Sequence, residues 1–82
     1  FLTESNVSLL PNPAESIVTI HLQKDVEAAI RVFDISGKLM IYQPNILIQG
    51  SHSLSISGLK SGVYFIRINS EEGSLTKKLI KE

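Results

Sequence analysis

The chain has 82 residues, eight basic and eight acidic, with hydrophobic residues at 43% and charged residues at 20%. That length holds one compact core rather than two, and the apolar share lies far from the low-hydrophobicity, high-charge region of disordered chains. A formal net charge of zero gives no long-range field toward nucleic acid or an anionic membrane, so neither is expected as a partner.

Cysteine is absent, which excludes disulfides and thiolate metal sites and leaves the compartment open. The apolar runs are a handful of residues long, against the roughly 20 that a membrane-spanning helix needs. The chain begins at Phe1 with no methionine and no basic-then-apolar leader. It reads as a single domain over residues 1–82 cut from a longer precursor, with the targeting peptide and the activity lying before it.

Val7 to Leu9 reads as a first short strand, and Asn6-Val7-Ser8, which begins one residue before it, matches the N-glycosylation pattern at a length that chance supplies. Pro11-Asn12-Pro13 fixes φ at both prolines and pushes Asn12 toward extended geometry, which predicts a rigid bend between the first two strands. In Ile17 to Leu22 the residues Val18, Ile20 and Leu22 alternate with Thr19 and His21, a strand with one apolar face. Lys24 to Ala29 carries no sustained helical stripe and reads as a loop entering the next strand, marked by Ile30 and Val32.

Asp34-Ile35-Ser36-Gly37 then predicts a tight hairpin: an Asp side chain caps such a turn and Gly takes its left-handed position. Leu39 and Ile41 repeat the alternating pattern, Ile46 to Ile48 reads as a separate short strand, and Leu54 and Ile56 alternate with Ser53, Ser55 and Ser57. Leu59-Lys60-Ser61-Gly62-Val63-Tyr64 is similar to the entry of a late strand in an immunoglobulin-like sandwich, where a buried Tyr bonds back to the preceding loop through its hydroxyl. Tyr64, Ile66 and Ile68 continue that strand; Glu71 and Glu72 before Gly73 mark a hairpin tip; Leu75 to Lys81 forms the last strand. The spacing predicts an all-β, immunoglobulin-like antiparallel β-sandwich of seven or eight short strands, with Val18, Ile20, Ile30, Val32, Leu54, Ile56, Tyr64 and Ile66 inward.

Nothing in the sequence assembles a catalytic or metal centre. His21 and His52 are the only histidines and neither has a metal-ligand partner at the right spacing, so both read as surface residues. Gly58-Leu59-Lys60-Ser61-Gly62 lacks the central Ser of a nucleophile elbow, and the serines around Leu54 fit a solvated strand face. Asp34 near Gly37 has too few oxygen neighbours for calcium and reads as a turn cap, while Glu71 and Glu72 read as a solvated turn rather than an acid/base dyad. No enzyme activity, cofactor or metal is expected.

The last strand is the unusual element. Leu75, Lys77 and Leu79 share one face and Thr76, Lys78 and Ile80 the other, so neither face is cleanly apolar. On these residues alone the lysines read as a device that blunts an edge strand against aggregation. The competing reading is an open edge with a basic tip, its backbone groups offered to a partner for strand addition.

Four stretches now stand in order: Leu10-Pro11-Asn12-Pro13-Ala14, Val32-Phe33-Asp34-Ile35-Ser36-Gly37-Lys38, Leu59-Lys60-Ser61-Gly62-Val63-Tyr64, and Lys77-Lys78-Leu79-Ile80-Lys81 before Glu82. Together they resemble, over nearly the whole chain, the C-terminal sorting domain of type IX secretion cargo proteins. The resemblance implies a domain that ends a larger exported protein, passes through the periplasm, and is recognised by an outer-membrane translocon. It implies removal at the surface by a sortase-like signal peptidase, with the N-terminal cargo released or attached to the cell surface. It also gives the terminal strand the recognition role, carried by Lys77, Lys78, Leu79, Ile80 and Lys81, and makes Pro11, Asn12, Pro13, Asp34, Gly37, Gly62 and Tyr64 family motif and turn residues.

Two other classes compete. A carbohydrate-binding or adhesive sandwich needs a cluster of aromatics, and the chain has five with no Trp. A fibronectin-like spacer fits the Tyr64 corner but lacks the strand-centre Trp, and a spacer need not end in a basic strand.

Overall fold

The computed structural model describes residues 7–82; Phe1 and Asn6 lie outside the described residues. Seven strands follow in order: β1 (Val7–Leu10), β2 (Ile17–Leu22), β3 (Val26–Asp34), β4 (Leu39–Ile48), β5 (Ser51–Ser55), β6 (Gly62–Ser70) and β7 (Gly73–Lys81). They form a three-stranded sheet, β1-β2-β5, and a four-stranded sheet, β4-β3-β6-β7, with every neighbouring pair antiparallel. This is the expected immunoglobulin-like sandwich. Among the described residues no helix is long and apolar enough to cross a membrane.

Period-two alternation decides which side of each strand is buried. Val18 and Ile20 from β2, Leu54 from β5, Ile30 and Val32 from β3 and Ile66 and Ile68 from β6 meet in one continuous core, and every inward residue expected from the sequence is buried. Ile48 and Leu79, both fully buried, join them from β4 and β7. No disulfide helps, so burial of these aliphatics supplies the main favourable term, about 1.5–3 kcal/mol for each large side chain.

β4 departs from expectation. Leu39–Ile41 and Ile46–Ile48 are not separate strands but one strand, so the described residues form seven. Two irregularities in its pairing with β3 conceal this. Near Ala28 and Ile30 the partner positions jump from Ile46 to Gln43, leaving Pro44 and Asn45 opposite Ala29, and Asn45 takes a φ of 44°, a conformation Asn tolerates better than most residues. An edge strand can hold Pro44 because an N–H directed to solvent is not needed for the ladder.

The second irregularity, between Val32 and Phe33, skips Met40. It turns Leu39 to the outer face, 47% exposed, while Ile41 packs against the core; the two do not share a face as alternation had suggested.

Candidate functional site at the motif-bearing end

All four sequence motifs meet at one end of the sandwich. Across the four-stranded sheet Asp34 pairs with Tyr64 and Tyr64 with Leu79, while Gly62 pairs with Lys81. Ala14, just after the proline bend, forms a parallel bridge to the same Lys81. The bend, the β3–β4 turn, the loop entering β6 and the end of β7 therefore form one rim.

The β3–β4 turn is organised by one carboxylate. Asp34 Oδ1 accepts from the Ser36 hydroxyl at 2.7 Å, the Ser36 amide at 2.9 Å and the Lys38 amide at 3.0 Å. These bonds, the Ser36 hydroxyl foremost and then the Lys38 amide, hold its pKa below the ordinary carboxylate value against an opposing desolvation. Gly37 sits at φ 90° and its amide donates to the Asp34 carbonyl at 3.0 Å. A side chain there would meet nothing within 4 Å, so the requirement for Gly is conformational. The expected turn cap and left-handed Gly are both present.

The loop into β6 is pinned by Tyr64. Its ring is 6% exposed and its hydroxyl donates to the Lys60 carbonyl at 2.7 Å. This is the expected corner: a large apolar body in the core and a polar tip satisfied by the chain just upstream.

The proline bend lies along the free edge of β7. Asn12 donates through Nδ2 to the Lys78 carbonyl at 2.9 Å and accepts at Oδ1 from the Ile80 amide at 3.0 Å, so its side-chain amide does what a neighbouring strand's peptide would do. Ala14 continues the pattern: its amide donates to the Ile80 carbonyl and its carbonyl accepts from the Glu82 amide, each at 2.8 Å. Lys77 reaches across and donates to the Val7 carbonyl at 2.8 Å. Pro11, Pro13 and Glu82 border one open cleft beside this clamp.

The terminal strand is thus not the open edge expected from the sequence. Its outward backbone groups from the Lys78 carbonyl to the Glu82 amide are already occupied, and strand addition there requires Asn12 and Ala14 to leave. Strand alternation leaves the outward groups around Ser74 and Thr76, with the Lys78 amide, outside this clamp. The side chains of the basic ending separate by face. Lys78 and Ile80 are exposed on the outer face, Leu79 is buried, and Lys77 and Lys81 are half-buried on the inner side.

His21 is exposed as expected, whereas His52 is half-buried and its Nε2 lies 2.8 Å from Gln43 Oε1, bridging β5 to β4. Zero net charge conceals a segregation along the molecule. Lys38, Lys60, Lys78 and Lys81 belong to the motif end, with Glu15, Asp34 and Glu82; Asp25, Glu27, Glu71 and Glu72 gather at the opposite end, where Lys24 bonds Glu72 at 2.7 Å.

Sequence reasoning missed the clamp formed by Asn12 and Ala14, and it missed Phe33, Val63 and Phe65 beside the rim. A signal for the second group was present: Val32-Phe33, Val63-Tyr64-Phe65 and Leu79-Ile80 interrupt the alternation with consecutive apolar residues, so both faces are apolar at this end.

No curated protein was found to match the chain. A family match covers residues 8–82, from β1 through the clamp and the end of β7, and its description is a secretion system C-terminal sorting domain. All four motifs lie within it, joined at one rim of an immunoglobulin-like sandwich, and the chain belongs to this family, the C-terminal sorting signals of type IX secretion.

Proposed function

We propose that the domain acts without catalysis, as a folded address carried behind an N-terminal cargo, and that the part read by the export machinery is the motif-bearing rim with the terminal strand at its centre. The cargo passes through the periplasm, an outer-membrane translocon engages the rim, and a sortase-like signal peptidase then separates cargo from domain at the surface. The observation that carries this reading is the clamp: the motifs farthest apart in sequence, Pro11–Ala14 and Lys78–Glu82, are one hydrogen-bonded unit. Recognition then depends on a formed three-dimensional surface, with Lys78 and Lys81 supplying charge that steers the encounter.

Deleting Lys77 to Glu82 is an ambiguous test, because it also removes Leu79, fully buried in the core. Lys78→Glu with Lys81→Glu leaves the core intact. In a cargo exported by a host that has the machinery, this pair is expected to accumulate in the periplasm with an unchanged unfolding midpoint. Export at the normal level would show that the basic ending is not read.

A further inference from the structure

The two outer faces of the sandwich differ in chemistry. That of the three-stranded sheet carries Ser8, Thr19, His21, Ser51, Ser53 and Ser55, with Thr19 and Ser53 hydroxyls bonded to each other at 3.1 Å, and two exposed aliphatics, Leu10 beside Thr19 and Ile17 beside Ser55. Hydroxyl groups predominate on it, and its strands carry no aromatic residue, lysine or arginine.

The outer face of the four-stranded sheet is apolar at the motif end. Phe33 lies between Leu39 and Phe65, and Val63 lies opposite Ile80. Leu39, Phe65 and Ile80 are 47%, 37% and 36% exposed. Cations border this patch. Lys78 follows Phe65 in the same row; in the next row Arg31 stands between Tyr42 and Arg67. The Arg31 guanidinium stacks 4.6 Å from the Tyr42 ring centroid, and Arg67 donates only to neutral acceptors, Asn69, Ser74 and Thr76. Among the described residues none of Arg31, Arg67 or Lys78 is paired with a carboxylate.

We infer that this face is a docking surface for a protein partner whose own surface has an apolar centre rimmed by carboxylates. Apolar side chains held out of the core gain from being covered, and aromatic residues with arginine are the side chains that anchor protein interfaces. Unpaired cations at the border call for negative charge opposite them, so the partner's acidic groups would fix its register. An anionic bilayer fits less well: insertion needs apolar groups that project below the headgroups, and here they lie flat on a pleated sheet, with only Ile35, 75% exposed, at a turn tip. The inference rests on the sorting function, since it places the partner in the export machinery, and extends the read surface from the terminal strand across β6 and β3.

The test uses the domain fused behind a periplasmic reporter in a host with the machinery. Phe65→Asp, and Arg31→Glu with Arg67→Glu, are compared with Ser51→Asp on the opposite face, all with unfolding midpoints measured. The first two are expected to lower the exported fraction on the order of tenfold or more, as truncation of an interface anchor does, and Ser51→Asp to leave it unchanged. Full export of folded Phe65→Asp and Arg31→Glu/Arg67→Glu would overturn the docking face and leave the sorting function standing. A wild-type fusion that stays in the periplasm would refute the sorting function itself. Binding of the wild-type domain to phosphatidylglycerol vesicles, or its dimerisation in sedimentation equilibrium, would overturn the assignment to a protein partner of this kind if Phe65→Asp abolished it.

Discussion

Replacing Asn12 with Ala removes both side-chain bonds to the β7 edge, at 2.9 and 3.0 Å, and nothing from the core. A neutral hydrogen bond contributes about 0.5–1.5 kcal/mol net, so the pair sets a range of about 1–3 kcal/mol. Both bonds are solvent-exposed, so water replaces the lost partners and no buried group is left unsatisfied. The expected cost is then about 1–2 kcal/mol, and the melting temperature should fall by roughly 5–15 °C for a domain of this size. Hydrogen exchange gives the site-specific readout. The Ile80 amide should lose protection in Asn12→Ala, while Leu79, whose backbone groups turn toward β6, keeps its own. Asn12→Asp retains the acceptor for Ile80 but not the donor for the Lys78 carbonyl, so Ile80 should stay protected while stability still falls. An Ile80 amide that exchanges equally slowly in Asn12→Ala would mean that Asn12 does not cap the edge.

Tyr64→Phe should cost about 1 kcal/mol for the bond to the Lys60 carbonyl, and Tyr64→Ala about 3–5 kcal/mol for the buried ring; equal losses in urea unfolding would contradict a separable corner bond. Asp34 has a depressed folded pKa, so its ionised form contributes stability above the ordinary Asp range, lost as pH falls through the folded value. Urea titrations of wild type and Asp34→Asn should therefore converge below about pH 4, and a gap that persists undiminished at pH 2 would assign the effect to something other than ionisation.

The core was legible because alternation is a local signal. Val18 and Ile20, or Ile66 and Ile68, announce their buried side within a few residues, and Asp34 to Lys38 contains every atom its turn requires. Tyr64 was legible for the same reason, its hydroxyl partner lying only at Lys60. What was hidden depends on register. Met40 and the Pro44–Asn45 pair shift the phase of β4, so a period-two reading splits one strand into two and places Leu39 on the wrong face. Asn12 is far from Lys78 and Ile80 in sequence, and no local pattern indicates that a side-chain amide will substitute for a strand there. The outer apolar row needed the same knowledge: Phe33 and Phe65 each look like one surplus hydrophobe until β3 and β6 are aligned and the two become neighbours beside Leu39.

The central claim is that residues 1–82 suffice as a type IX sorting signal because the rim is formed within residues 8–82. The direct measurement is the extracellular fraction of an unrelated periplasmic reporter carrying Phe1 to Glu82 at its C-terminus, compared in a host that has the machinery and an otherwise identical host from which it is deleted. The account predicts export in the first and periplasmic retention in the second. Retention in both hosts, with the domain folded and intact, would contradict it.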